Sequence, residues 1–112
     1  MLEMDRTFAI RALTVVRVAG EVDVASAPEL DSLLEKLPAA GEDVVVDLTD
    51  VTFLDSTGLG VLVGAWNRCD KSDPPSQLSL VVATSEIERL LEVTGLTDVF
   101  QTYKSLDQAT AS

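Results

Sequence analysis

The residues able to do chemistry gather in one segment, Asp47-Leu-Thr-Asp-Val-Thr-Phe-Leu-Asp-Ser-Thr-Gly-Leu-Gly60. Its acids Asp47, Asp50 and Asp55 can be read as an acidic pocket for Mg²⁺, with Asp47 or Asp55 accepting a phosphoryl group. Its serine, Ser56, offers a second chemistry. The chain contains no histidine, so no imidazole can take the Ser56 proton, and Ser-His-Asp and Cys-His catalysis fall away together with His-based zinc sites. Ser56 is therefore either a helix N-cap, for which serine is among the preferred residues, or the acceptor of a phosphoryl group delivered by another enzyme. A phosphate there would lie at a helix N-terminus, where dipole and free N–H groups favour an anion by about 0.3–1 kcal/mol. Cys69 is the only cysteine. It fills apolar space, or it is a thiol that Arg68 and Lys71 activate.

The segment runs from the end of a strand, through a polar turn over Thr49 to Asp55, into a helix from about Ser56 to Arg68. The helix stripe is Leu59, Leu62, Val63 and Trp66. Gly58, Gly60 and Gly64 keep it nearly bare, although each Gly costs up to about 1 kcal/mol in a helix. Either another backbone or a partner protein comes close there, or the helix packs tightly on the sheet. In open α/β sheets, ligands gather beyond the carboxyl ends of strands, which favours this location.

The rest of the chain must hold that turn. Phe8, Ile10 and Ala12 alternate with Thr7, Ala9 and Arg11 as in a half-buried strand, and Leu13 to Ala19 continues with a second β-rich run. Ser26 with Glu29 predicts a capping box ahead of Leu30, Leu33, Leu34 and Leu37, and Pro38 predicts the stop. Consecutive Val44, Val45 and Val46 predict a strand covered on both faces. After a loop over Asp70–Gln77 with Pro74 and Pro75, Leu78 to Val82 reads as a strand. Ser85 with Glu88 predicts a third helix ending at Gly95. Val99 to Tyr103 is a short edge strand, and Ser105 with Gln108 opens a last helix. Glu86, Glu88 and Glu92 read as solvated surface. Strands alternating with helices predict an α/β fold, a mixed sheet of about four to five strands packed with about four helices.

At 112 residues the chain suits one domain, with a core over about 7–111. Nineteen acidic residues against eight basic ones give a net charge of -11. That balance argues against nucleic acid and anionic membrane, which demand a basic face. One cysteine permits no intrachain disulfide, no apolar run approaches about 18 residues, and the N-terminus lacks the shape of a signal peptide. A cytoplasmic domain without enzymatic activity, metal or cofactor is expected, as a monomer or weak dimer.

Gly20-Glu-Val-Asp23, Asp50-Val-Thr-Phe-Leu-Asp-Ser-Thr-Gly-Leu-Gly60 and Leu90-Leu-Glu-Val-Thr-Gly-Leu-Thr-Asp-Val-Phe100 resemble the anti-sigma factor antagonists of the STAS domain family, in the right order over roughly Thr7 to Ala111. The resemblance implies a single STAS-like domain in a bacterial partner-switching pathway. In that family the unmodified antagonist binds an anti-sigma factor that is itself a GHKL-type serine kinase, and so releases the sigma factor. The kinase phosphorylates the serine that corresponds to Ser56, the complex falls apart, and a PP2C-type phosphatase restores the antagonist. By the same resemblance Asp23 is a loop aspartate needed for binding the kinase, and Asp55, Thr57, Gly58 and Leu59 lie with Ser56 in the docking surface. The Asp70–Gln77 loop departs from the Gly-rich turn often found there. Two alternatives stand beside this reading. One keeps the fold as a non-switching scaffold or a transporter-complex subunit. The other is a response-regulator receiver domain, which would need an acidic pair after its first strand and a late lysine that Ala19-Gly20 and Leu78–Thr84 do not supply.

Overall fold

Hydrophobic strands separated by amphipathic helices build a five-stranded sheet in this chain. The structure, a computed structural model, describes residues 2–9, 13–37 and 42–111, with 5–9 as backbone alone. The elements are β1 (Leu2–Ala9), β2 (Leu13–Val22), α1 (Ala27–Glu35), β3 (Asp43–Leu54), α2 (Ser56–Lys71), β4 (Leu78–Val81), α3 (Ser85–Val93), β5 (Gln101–Tyr103) and α4 (Leu106–Ala111). The strands lie in the order β1-β2-β3-β4-β5. β1 is antiparallel to β2, and the remaining neighbours are parallel. A receiver sheet runs 2-1-3-4-5 and is parallel throughout, so this topology removes the receiver alternative. The first two strands pair as a hairpin. Ile10, Arg11 and Ala12 of the expected first strand, and Pro38, the expected stop of α1, lie outside the described residues.

Val44 and Val46 face one core with Val16, Val18, Leu30, Leu34, Leu62 and Leu91. Val45 faces the other way, with Val15, Val81 and Ala109. The valine run is thus buried on both sides, as its lack of alternation predicts. Each fully buried side chain of this size contributes about 1.5–3 kcal/mol.

Two local expectations are corrected. The Thr49–Asp55 passage is strand as far as Leu54. Pairing steps from Arg17↔Asp47 to Ala19↔Asp50, and from Gly20↔Val51 to Glu21↔Phe53, so β3 gains an extra residue at each shift. These shifts break the two-residue period and bury Val51 and Leu54, three apart, with Thr52 and Phe53 exposed between them. Capping also differs. Ser26 precedes α1 without capping it by its side chain, and Ser85 is the first residue of α3 rather than its N-cap, a place taken by Thr84, whose side chain makes no cap hydrogen bond either. Only at α4 does the predicted pair work: Gln108 N–H donates to Ser105 Oγ, and Gln108 Oε1 accepts from Lys104 N–H. Gly95, at φ 74°, provides the expected left-handed stop after α3.

Candidate functional site

The carboxyl ends of β2 and β3 carry the site. Val22 and Leu54 are the last registered pair, so Asp23 and Asp55 leave the sheet side by side, on neighbouring strands about 4.8 Å apart. Asp55 N–H donates to Val22 O at 3.2 Å, which ties the two turns together.

Asp55, not Ser56, is the N-cap of α2. Its Oδ1 accepts from Thr57 N–H at 2.9 Å and Gly58 N–H at 3.0 Å. Ser56 is the first helical residue, exposed, and its hydroxyl makes no hydrogen bond to any described residue. Thr57 is exposed beside it. Because Asp55 already occupies two of the first-turn N–H groups, a phosphate on Ser56 would meet a carboxylate there rather than an empty nest.

Asp23 organises the neighbouring turn. Its Oδ1 accepts from Ala25 N–H and Ser26 N–H, both at 3.0 Å, and lies 3.1 Å from Ser26 Oγ. Ser26 Oγ accepts from Asp23 N–H and shares its one proton between Glu21 O and Asp23 Oδ1, which explains why it is not available to cap α1. The hydrogen bonds from the Ser26 amide and hydroxyl, with that from Ala25, hold the Asp23 carboxyl below the usual carboxylate range.

The remaining residues of the expected docking surface face inward. Leu59 is in the core. A Cβ on Gly58 would stand 2.7 Å from Val22 Cγ1 and Leu54 Cδ1 and 3.1 Å from Val22 O. Gly58 therefore answers the tight-packing reading of the glycines. Gly60 does not: nothing lies within 4 Å of its Cβ position, and it is exposed. Asp23, Asp55, Ser56 and Thr57 thus form one surface, and Gly58 and Leu59 fix the helix beneath it.

Asp47 stands apart from that surface. It is buried on the α4 side of the sheet, where its carboxylate accepts from Thr49 and lies 3.9 Å from Arg17. Among the described residues no three His, Cys, Asp or Glu side chains gather in a way that could hold a metal ion. Of the stretch expected as a loop over Asp70–Gln77, Asp70 and Lys71 belong to α2, and the remainder lies at the far end of β3, where Gln77 bonds Asp43 and Val44. Its departure from the Gly-rich pattern is therefore remote from Ser56. Cys69 is buried, and that burial pushes its thiol up, against the activated reading. Glu86 and Glu92 are exposed as expected, whereas Glu88 is half-buried and pairs with Lys104. No helix among the described residues is long and apolar enough to cross a membrane.

Sequence reasoning missed the groove between β3 and α3, lined by Thr49–Leu54, Thr84, Glu86, Ile87 and Leu90. The exposed Phe53, apolar at the edge of a polar run, was its one signal.

Residues 4–109 match the family model described as the STAS domain. Over 84 residues the chain is 42% identical to an anti-sigma-B factor antagonist of Bacillus subtilis (strain 168), covering 75% of each protein. An anti-sigma-B factor antagonist of Staphylococcus aureus is 39% identical over 85 residues, which is 75% of this chain and 77% of that one. The crystal structure of an anti-sigma factor antagonist from Mycobacterium paratuberculosis superposes with a TM-score of 0.82 at 27% identity, covering 99% of this chain and 92% of that chain.

Proposed function

The chain belongs to the STAS domain family, and from that premise we propose that it is an anti-sigma factor antagonist switched by phosphorylation of Ser56. Unmodified, it binds an anti-sigma factor that is also a GHKL-type serine kinase, and the sigma factor is released. The kinase transfers a phosphoryl group to Ser56 and lets go, and a PP2C-type phosphatase reverses the step. The chain is the substrate and ligand of these enzymes, has no catalysis of its own, and works in the cytoplasm.

One observation carries the reading: Asp55 caps α2, which leaves the Ser56 hydroxyl exposed and without a partner. A serine needed for capping would be protected by its own hydrogen bond. Phosphorylation adds about 1.5 to 2 negative charges near neutral pH, beside Asp55 and next to the Asp23 turn. Losing a buried polar contact at an interface costs about 2–5 kcal/mol, or roughly thirtyfold to a few thousandfold in affinity. That range suffices for a switch.

The test is incubation with the candidate kinase and ATP, followed by intact-mass measurement of wild type and Ser56→Ala. One added phosphoryl group on the first and none on the second is the expected result. Modification of neither, by a kinase that binds both, would instead favour the non-switching scaffold.

A further inference from the structure

The carboxyl end of β3 has an edge that no described strand covers. Pairing with β4 ends at Asp47↔Val81, whereas pairing with β2 continues to Leu54. Past Val81 the chain leaves the sheet and turns into α3, opening a groove of about 680 Å³ between the β3 overhang and that helix.

The lining says what kind of groove it is. Thr49–Leu54 line it where pairing with β4 has ended, so the groove runs along the open edge of the strand. Ile87 and Leu90 form an apolar opposite wall. Thr84, on the same wall, has a buried Oγ1 with no hydrogen-bond partner. Asp50 and Glu86 are exposed on the rim, and no Lys or Arg lines the groove.

An unpaired strand edge offers main-chain hydrogen bonds to an extended peptide, with side-chain alternation supplying specificity. We propose that this edge receives an extended cationic segment of the binding partner, which adds to β3 as a further strand. Its alternate apolar side chains sit on Ile87 and Leu90, and its cations meet Asp50 and Glu86. The lining stretch, at about 3.3 Å per residue, takes a segment of about six residues. Leu54 is adjacent to Asp55, so a partner docked at the start of α2 reaches the groove without a gap. The inference rests on the partner-binding reading above but not on modification of Ser56.

The probe is a short synthetic peptide alternating Lys and Val, titrated into the isotopically labelled full chain and followed by NMR. Amide signals of Thr49–Leu54 and of the Thr84–Leu90 wall should shift, and the edge amides of β3 should exchange more slowly. The exposed pair Asp50→Lys with Glu86→Lys should weaken binding roughly tenfold or more, and a Glu–Val peptide should not bind. Shifts confined to other elements, equal binding of the two peptides, or an unaffected double variant would each overturn the proposal. The titration contains neither kinase nor ATP, so its failure leaves the Ser56 switch standing. A failed phosphorylation likewise leaves the groove.

Discussion

At residue scale the site divides two tasks between neighbours that sequence alone makes hard to separate. Asp and Ser are both good N-caps, and Asp55-Ser56 offers either register for the start of α2. The structure gives the cap to Asp55, through Thr57 and Gly58 N–H. Asp55→Ala should therefore cost about 1 kcal/mol of stability, within the usual 0.5–2 kcal/mol for a lost cap. Ser56→Ala, touching no partner, should stay within about 0.5 kcal/mol of wild type. Urea unfolding of both variants checks the assignment, and equal losses would contradict it. Asp23 makes a prediction in pH. Its carboxyl titrates below the usual carboxylate range in the folded chain, so its contribution is complete above the unfolded carboxylate's pKa. It is lost only as pH falls through the lower folded value. Carboxyl-carbon NMR should show Asp23 protonating at lower pH than an unstructured aspartate, and the Ala25 and Ser26 amides should move with it. A midpoint at or above the unstructured value would refute those hydrogen bonds.

The elements show why some of this was legible and some not. The unbroken Val44-Val45-Val46 run was readable because a strand covered on both faces is apolar throughout, and the Leu59–Trp66 stripe because helical spacing puts its residues on one face toward the core. The β3 overhang was not, because its two register shifts remove the period that identifies a strand. Serine at the start of a helix is equally ambiguous: Ser105 caps α4, but Ser26 is held by Glu21 and Asp23. Such competition between turn and helix for one hydroxyl depends on the backbone path. The glycines of α2 show the same dependence and give a paired prediction. Gly58→Ala meets Val22 and Leu54, and overpacking of about 1–3 kcal/mol outweighs the helix-propensity gain of up to about 1 kcal/mol. Gly60→Ala has open space and should be stabilised by up to about 1 kcal/mol. Gly60 lies four residues after Ser56 on the same helix face, so the added methyl should also weaken partner binding. Unfolding and affinity measured on the same two proteins separate internal packing from docking.

At the scale of the whole molecule, the question is whether a switch can be felt against a net charge of -11. A phosphate changes that total by only about 2, so the total is a poor signal. Distance supplies the discrimination. The molecule measures 31 × 26 × 24 Å, and the Debye length near 0.1 M salt is about 10 Å. A charge at the far end is screened from a partner bound at the start of α2, whereas one at Ser56 is not. Gln101 tests this. It pairs with Ser79, which pairs with Val45, and from there the sheet runs about 23 Å to Leu54, the seven-residue step from Val15 to Val22 on the partner strand β2. Gln101→Glu and Ser56→Glu change net charge equally, and both positions are exposed. Ser56→Glu should fold normally and lose anti-sigma factor affinity by about thirtyfold or more. Gln101→Glu should stay within about twofold of wild type at 0.1 M salt. Calorimetric titration of the purified partner into each variant measures the difference directly. Similar losses in both would mean that long-range repulsion, rather than contact at the start of α2, governs binding; raising the salt would then restore both alike. Loss at Ser56 alone, persisting in high salt, is the outcome that a local contact requires, because an interface from which water is excluded is screened far less than an exposed surface.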